Sequence, residues 1–170
     1  EITSGIDTNV GPLNAWVNLH FPYIIFALQM ISYGGDVVYG HNIYKTTDGG
    51  LHWSELNYDK TSIVQEIIFD PNRENTAYIK EYANPWLKTT DLGESWFEIS
   101  ELLTENEYPP ALYVSPYDSN ILFTITNSEI PVGESKIYKS ENGGLEWKEY
   151  GSISPSRHVT SILIDPDNHN

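Results

Sequence analysis

The stretch Thr46-Thr47-Asp48-Gly49-Gly50-Leu51-His52-Trp53 decides the fold, because it recurs. Thr89-Thr90-Asp91-Leu92-Gly93-Glu94-Ser95-Trp96 and Ser140-Glu141-Asn142-Gly143-Gly144-Leu145-Glu146-Trp147 align with it without gaps. All three read Ser/Thr-x-Asp/Asn-x-Gly-x-x-Trp, and a lysine precedes each: Lys45, Lys88 and Lys139. The residue types suit a tight chain reversal between two strands. Gly49-Gly50 and Gly143-Gly144 reach positive φ at little cost. Asp48, Asp91 and Asn142 can accept hydrogen bonds from N–H groups of their own turn, and Thr46, Thr89 and Ser140 add a hydroxyl two residues earlier. Trp53, Trp96 and Trp147 each bring a large apolar surface out of the turn.

Working outward, a second landmark precedes each turn. Prolines follow short apolar runs at Pro22, Pro71, Pro116 and Pro166, and successive prolines lie 49, 45 and 50 residues apart. A period of that length containing several short strands predicts β-propeller blades. Four strands are read per unit: A over 14–21, 62–69, 109–115 and 158–164; B over 23–29, 75–81 and 120–126; C over 42–47, 85–90 and 135–140; D over 52–56, 95–99 and 146–150. These runs are rich in Ile, Val, Tyr, Phe and Thr. The fold class is therefore all-β: four-stranded antiparallel blades, with the octapeptide as the C–D hairpin. The blades span approximately 14–56, 62–99 and 109–150, and a fourth begins over 158–170. Because closed rings typically need about 4–8 blades, three and a half imply an incomplete ring. The remaining blades would come from a longer chain, the favoured reading, or from a second copy.

The octapeptide resembles the Asp-box, or BNR repeat, of sialidases, xyloglucanase-type glycoside hydrolases, sortilin-type receptors and photosystem II assembly factors. The resemblance covers residues 14–170. It implies a propeller whose boxes are structural, since the same box serves unrelated activities. The third box departs from the pattern at Asn142, which keeps an acceptor oxygen and loses the charge. A catalytic or calcium-binding role for Asp48 and Asp91 is the lesser reading, because these residues recur in every repeat while catalysis needs one unique site.

Composition narrows the function. The 9 basic and 24 acidic residues give a formal net charge of −15. That field repels phosphate backbones, so nucleic acid is not an expected partner. The longest apolar run, Tyr23–Leu28, is far too short for a membrane span. With no cysteine, disulfides, thiol catalysis and Cys-based zinc sites are excluded. The five histidines show no i, i+4 pair, and the Asp165-Pro166-Asp167 end reads as a turn rather than a calcium loop, so neither metal nor cofactor is expected. A start at Glu1 fits a processed secretory protein or an excised fragment. The reading favours an extracellular or periplasmic protein, bacterial in origin.

In a propeller the D–A and B–C loops share one face, where ligands engage. On those loops and nearby strand ends, the candidates for ligand contact are Trp16, Tyr33, Asp36, Tyr58, Asp59, Tyr82, Trp86, Tyr108 and Arg157. Aromatic rings beside carboxylates suit sugar rings, stacking on the apolar face and hydrogen-bonding the hydroxyls. Trp86 stands where the other units have Ile43 and Ile137, which reads as core; Trp16 fits core and ligand platform equally. Glu105 and Glu107 are read as a solvated acidic loop rather than an acid–base pair. A sialidase-like site requires three arginines, and the chain has two, Arg73 and Arg157, with Arg73 on the opposite face. A xyloglucanase-like reading leaves Asp36 and Asp59 as the only aspartates on the ligand-side loops. No catalytic constellation is identifiable, so whether the chain belongs to an enzyme stays open. The reading is a binding or interaction module for polysaccharide or protein, with a segment of a glycoside hydrolase as the alternative.

Overall fold

The structure, a computed structural model, describes residues 13–31, 40–58, 63–82, 84–99, 111–127, 135–153 and 161–162. Among these residues there is no helix. Twelve strands form three four-stranded antiparallel sheets, each a β-propeller blade. The first holds β1 (Leu13–Val17), β2 (Ile25–Ile31), β3 (Gly40–Thr46) and β4 (Ser54–Glu55), hydrogen-bonded in that order. The second holds β5 (Val64–Phe69), β6 (Ala77–Glu81), β7 (Trp86–Thr89) and β8 (Phe97–Glu98). The third holds β9 (Leu112–Val114), β10 (Leu122–Asn127), β11 (Ser135–Ser140) and β12 (Lys148–Ile153). The three octapeptides link the third and fourth strands of each sheet, as the sequence pattern predicts. The expected fourth-blade strand at 158–164 falls almost entirely outside the described residues.

The proline landmark needs a correction in the first repeat. The structural equivalents are Asn18, Asp70 and Ser115, each buried and each capping the turn that follows its strand. Asn18 Oδ1 accepts from the N–H groups of His20 (3.0 Å) and Phe21 (3.1 Å). Asp70 Oδ1 accepts from Asn72 (2.8 Å) and Arg73 (3.1 Å), and Ser115 Oγ from Tyr117 (3.3 Å). The six-residue loop also closes alike: Asn18 N–H donates to Ile24 O and Ser115 N–H to Ile121 O, both at 3.0 Å. Pro71 and Pro116 directly follow their caps, where the missing N–H is not needed. Leu19 holds that place in the first repeat, and Pro22 sits three residues later in the same turn. The strand consequently ends at Val17, not at residue 21.

Two compact units divide the chain. One comprises Glu1–Phe69, Glu74–Tyr82 and Lys88–Trp96; the other comprises Asp70–Arg73, Ala83–Leu87 and Phe97–Asn170. Each contains a blade-to-blade junction, and the two junctions are built alike. In the first unit the Gly93 Cα lies so close to Leu56 that an added Cβ would stand 2.7 Å from Leu56 Cδ1. Leu56 is 3% exposed there, and burying such a side chain is worth about 1.5–3 kcal/mol. Lys45 Nζ donates to Leu92 O at 3.0 Å and pairs with Glu94. Phe26 meets Phe69 edge-on with centroids 5.1 Å apart. In the second unit Gly144 lies against Ile99, also 3% exposed, and the Trp147 indole N–H donates to Ile99 O. Ser119 Oγ–H donates to the fully buried Asp70 at 2.7 Å, and Asn72 Nδ2 to Ser115 O at 3.2 Å. Gly93 (φ +86°) and Gly144 (φ +97°) are thus required twice over, by backbone conformation and by close approach.

Candidate functional site

The octapeptide turns are closed networks. In the first, Thr46 Oγ1–H donates to Asp48 Oδ1 (2.8 Å) while the same hydroxyl oxygen accepts from Gly50 N–H (2.9 Å). Asp48 Oδ1 also accepts from His52 N–H (3.0 Å), and Oδ2 meets His52 Nδ1 at 2.7 Å. The second turn repeats this with Thr89, Gly93 and Ser95; Ser95 Oγ–H donates to Asp91 Oδ2 at 2.6 Å. In the third, Ser140 and Asn142 make the same bonds, and Asn142 Nδ2 turns to Glu146 Oε2 at 3.3 Å. The His52 N–H, then the His52 ring and the Thr46 hydroxyl, hold the Asp48 carboxyl well below the ordinary carboxylate range. The Ser95 hydroxyl and N–H, then the Thr89 hydroxyl, bring Asp91 down to about 2. Both carboxylates are occupied within their own turns, which is a structural arrangement. Among the described residues no group of three or more His, Asp or Glu could hold a metal ion.

Of the candidates for ligand contact, Tyr33, Asp36, Asp59, Tyr108 and Arg157 lie outside the described residues. Trp86 is completely buried and its carbonyl accepts from Ile99 N–H at 3.0 Å. An indole without exposed surface cannot present a face to a sugar, so Trp86 is corrected from ligand candidate to core. Tyr58 is also buried; its hydroxyl bonds to Glu81 Oε1 and its ring meets Trp96 edge-on at 6.0 Å. Trp16 is half-buried on β1, paired in register with Phe26. Tyr82, just beyond β6, is 65% exposed and anchored by its N–H to Ile63 O at 2.8 Å.

The structure adds two residues beside Tyr82 that sequence reading passed over. Lys80 and Glu81, the last residues of β6, are both buried. Aligning the repeats on Asn18, Asp70 and Ser115 places Lys80 where the other blades bury Leu28 and Ile125, and Glu81 where they bury Gln29 and Thr126. A lysine at a position that is otherwise core is the signal that could have found this site. Burial pushes its ammonium down to about 8, the adjacent Glu81 charge opposing that shift. Perturbed ionisable groups of this kind concentrate at functional sites. The end of β6 therefore joins an exposed phenol at Tyr82, a hydrogen-bonded Tyr58–Glu81 pair and a desolvated amine.

A pocket of about 380 Å³ lies elsewhere, against the third octapeptide, among Lys139, Glu141, Asn142, Glu146, Lys148 and Tyr150. Lys139 Nζ pairs with Glu141 at 2.8 Å and stands 5.9 Å from the Tyr150 ring centroid.

A model of the Sortilin-Vps10 family, described as sortilin, neurotensin receptor 3, matches residues 41–166. The chain belongs to the Sortilin-Vps10 family. Solved structures share the fold of this Sortilin-Vps10 chain. YCF48 from Cyanidioschyzon merolae is 20% identical with a TM-score of 0.52, covering 79% of this chain and 35% of YCF48. An ancestral GH74 enzyme is 16% identical at 0.57, covering 79% and 19%. The GH74 xyloglucanase from Xanthomonas campestris is 14% identical at 0.54, covering 79% and 20%. YCF48 has also been solved bound to a D1 peptide, 21% identical to this chain at 0.50, with 82% and 39% covered. The Sortilin-Vps10 chain thus spans between about a fifth and two fifths of these structures' own lengths. No curated protein sequence matches it.

Proposed function

We propose that this chain is part of a secreted Asp-box propeller, extracellular or periplasmic and bacterial, that binds an extended polypeptide across the end of β6. The remaining blades are supplied by further chain or by a second copy. The observation that carries the reading is Lys80. Holding an ammonium at a position where sister blades keep Leu28 and Ile125 costs desolvation energy, and such departures from the repeat rule belong to function more often than to stability. Beside it, Tyr82 offers an apolar ring with a polar tip, the side-chain type that dominates binding hot spots. The chemistry suits amide and carboxylate groups, and the family and structural relatives carry a receptor and a peptide complex in their names.

Selection of phage-displayed random dodecapeptides against the 170-residue chain, followed by calorimetry on a selected peptide, tests this. Tyr82→Ala should weaken the peptide at least about tenfold, the equivalent of about 1.4 kcal/mol. An unchanged affinity for that variant would remove the site. Cellulose and xyloglucan oligosaccharides run in parallel decide the polysaccharide alternative: binding without turnover moves the ligand class to sugars, and their hydrolysis would establish the glycoside hydrolase instead.

A further inference from the structure

The two blade-to-blade junctions pack alike, but one hydrogen bond of the second is missing from the first. In the second, the Trp147 indole N–H donates to Ile99 O. Leu56 is the equivalent of Ile99: each stands three residues after its octapeptide tryptophan and each faces the next octapeptide glycine. Trp96 is the equivalent of Trp147, and its ring lies beside Leu56. An added Cβ at Gly93 would stand 2.7 Å from Leu56 Cδ1 and 3.3 Å from Trp96 Cζ2. Trp96 Nε1 is nevertheless buried without an acceptor among the described residues. The Leu56 carbonyl that corresponds to its acceptor takes the Tyr58 N–H instead, at 3.0 Å, closing a γ-turn over Leu56-Asn57-Tyr58.

That turn folds Tyr58 inward. Its ring meets Trp96 edge-on, and its hydroxyl donates to Glu81 Oε1 at the end of β6. Phenol and carboxylate are both buried as a result. The arrangement leaves a buried indole donor unpaired, which is costly. Moving Tyr58 outward reverses each of these features together: Glu81 is uncovered, Leu56 O is released, and Trp96 Nε1–H gains the acceptor that Trp147 has. Tyr82, largely exposed, is the next residue after Glu81.

We infer that Tyr58 is the resident occupant of a cation subsite on Glu81, and that a lysine or arginine side chain of the bound peptide displaces it, the Leu56 carbonyl passing to the Trp96 indole. This rests on the reading of the β6 end as a peptide site, and it adds the charge of the ligand and the group it must displace. The ligand group is a cation because the competitor is tethered. A neutral donor would exchange one hydrogen bond to the carboxylate for another, with no gain over a phenol that its own chain holds in place. A guanidinium or ammonium adds charge, and hydrogen bonds between two charged groups are the stronger kind. The formal net charge of −15 draws cations toward the chain in the same sense. Lys80, one residue earlier on β6, projects from the opposite face of the strand.

Indole N–H resonances of the isotope-labelled 170-residue chain read both steps, with the Trp96 signal assigned by its loss in Trp96→Phe. The probes are N-acetyl-Ala-Arg-Ala-amide and the same tripeptide with citrulline, the neutral isostere of arginine. The arginine peptide should bind about tenfold or more tighter than the citrulline peptide, the worth of hydrogen bonds to a charged group. It should also move the Trp96 indole proton downfield and slow its exchange with water. Glu81→Gln should erase the preference for arginine. Tyr58→Phe keeps a ring beside Trp96 and takes the phenol off Glu81, so the arginine peptide should bind that variant about tenfold tighter. A purely structural Tyr58 predicts no such gain. No saturable shift with the arginine peptide, equal binding of the two tripeptides by wild type, or an affinity for Tyr58→Phe that is unchanged or weaker overturns the inference. The first two results need no variant, so no folding defect can produce them. Selected dodecapeptides separate this failure from failure of the site. One that depends on Tyr82 but is indifferent to Glu81→Gln and Tyr58→Phe keeps the peptide site and removes the cation subsite. One indifferent to Tyr82→Ala removes the site, and this inference with it.

Discussion

Gly144→Ala should be the most damaging of the three equivalent octapeptide glycine substitutions. The backbone conformation penalises all three: φ is +95° at Gly50, +86° at Gly93 and +97° at Gly144. A left-handed conformation costs an L-residue about 1–2 kcal/mol. The surroundings then separate them. At Gly144 the new methyl would stand 2.9 Å from Ile99 Cβ, 3.2 Å from Cδ1 and 3.3 Å from Cγ2. Ile99 Cβ is bonded to the backbone, so no side-chain rotation relieves the contact, and overpacking of this kind adds about 1–3 kcal/mol. At Gly93 the nearest atom is Leu56 Cδ1 at 2.7 Å, the far end of a side chain that can rotate away. At Gly50 only Trp53 is near, at 3.7 Å. The expected losses are about 2–5 kcal/mol for Gly144→Ala and about 1–2 kcal/mol for Gly50→Ala, with Gly93→Ala between. For a chain of this size that is about 4–20 °C in Tm against about 2–8 °C. Thermal and urea unfolding followed by tryptophan fluorescence reads the order directly. Combining Gly93→Ala with Leu56→Ala removes both δ carbons from the clash, so that pair should cost less than the sum of its singles. Equal losses at Gly50 and Gly144 would refute the claim that blade-to-blade contact, rather than turn conformation alone, demands these glycines.

Two further outcomes follow from ionisation. Asp48 and Asp91 titrate below their unfolded value of about 3.9, so their turns contribute stability that is complete above that pH and lost as pH falls through the folded values, about 2 for Asp91. Urea midpoints should fall between about pH 4 and pH 2, and the Asp48→Asn/Asp91→Asn protein should show a shallower fall; an identical slope would count against the turn network as its cause. Lys80 is depressed from about 10.4 to about 8, so the unfolded chain binds more protons between those values and native stability should rise with pH across that window. Lys80→Leu, which installs the residue type of the sister blades, should abolish the rise and hold or increase stability at pH 7 while weakening the bound peptide; a loss of stability there would make Lys80 structural.

The fold was legible because turn chemistry is local. Thr46, Asp48, Gly50 and Trp53 specify one hairpin by their own hydrogen bonds, and three copies in phase leave little freedom for the strands between them. The first-repeat register was misread because Pro22 imitates Pro71 and Pro116, whereas the conserved physical event is the Asn18, Asp70 or Ser115 cap, which three different side chains perform. Lys80 stayed hidden for a related reason. Beside Ile79 and Glu81 it resembles an ordinary strand-end charge, and only alignment on the caps shows that it replaces Leu28 and Ile125. Trp86 was legible as well: kept among the ligand candidates for its indole, it reads as core from its equivalence to Ile43 and Ile137, and it is completely buried.

The junctions all reach forward along the chain, and this direction sets a timetable during synthesis. Leu56 waits for Gly93, Ile99 for Gly144 and Asp70 for Ser119, delays of 37, 45 and 49 residues. At ribosomal rates of about 5–20 residues per second these intervals last about 2–10 s. During the first two intervals the newest blade holds an apolar side chain without its partner, and during the third a carboxylate without its hydroxyl. The first blade is completed by the second and the second by the third, so this stretch matures one repeat behind its own translation.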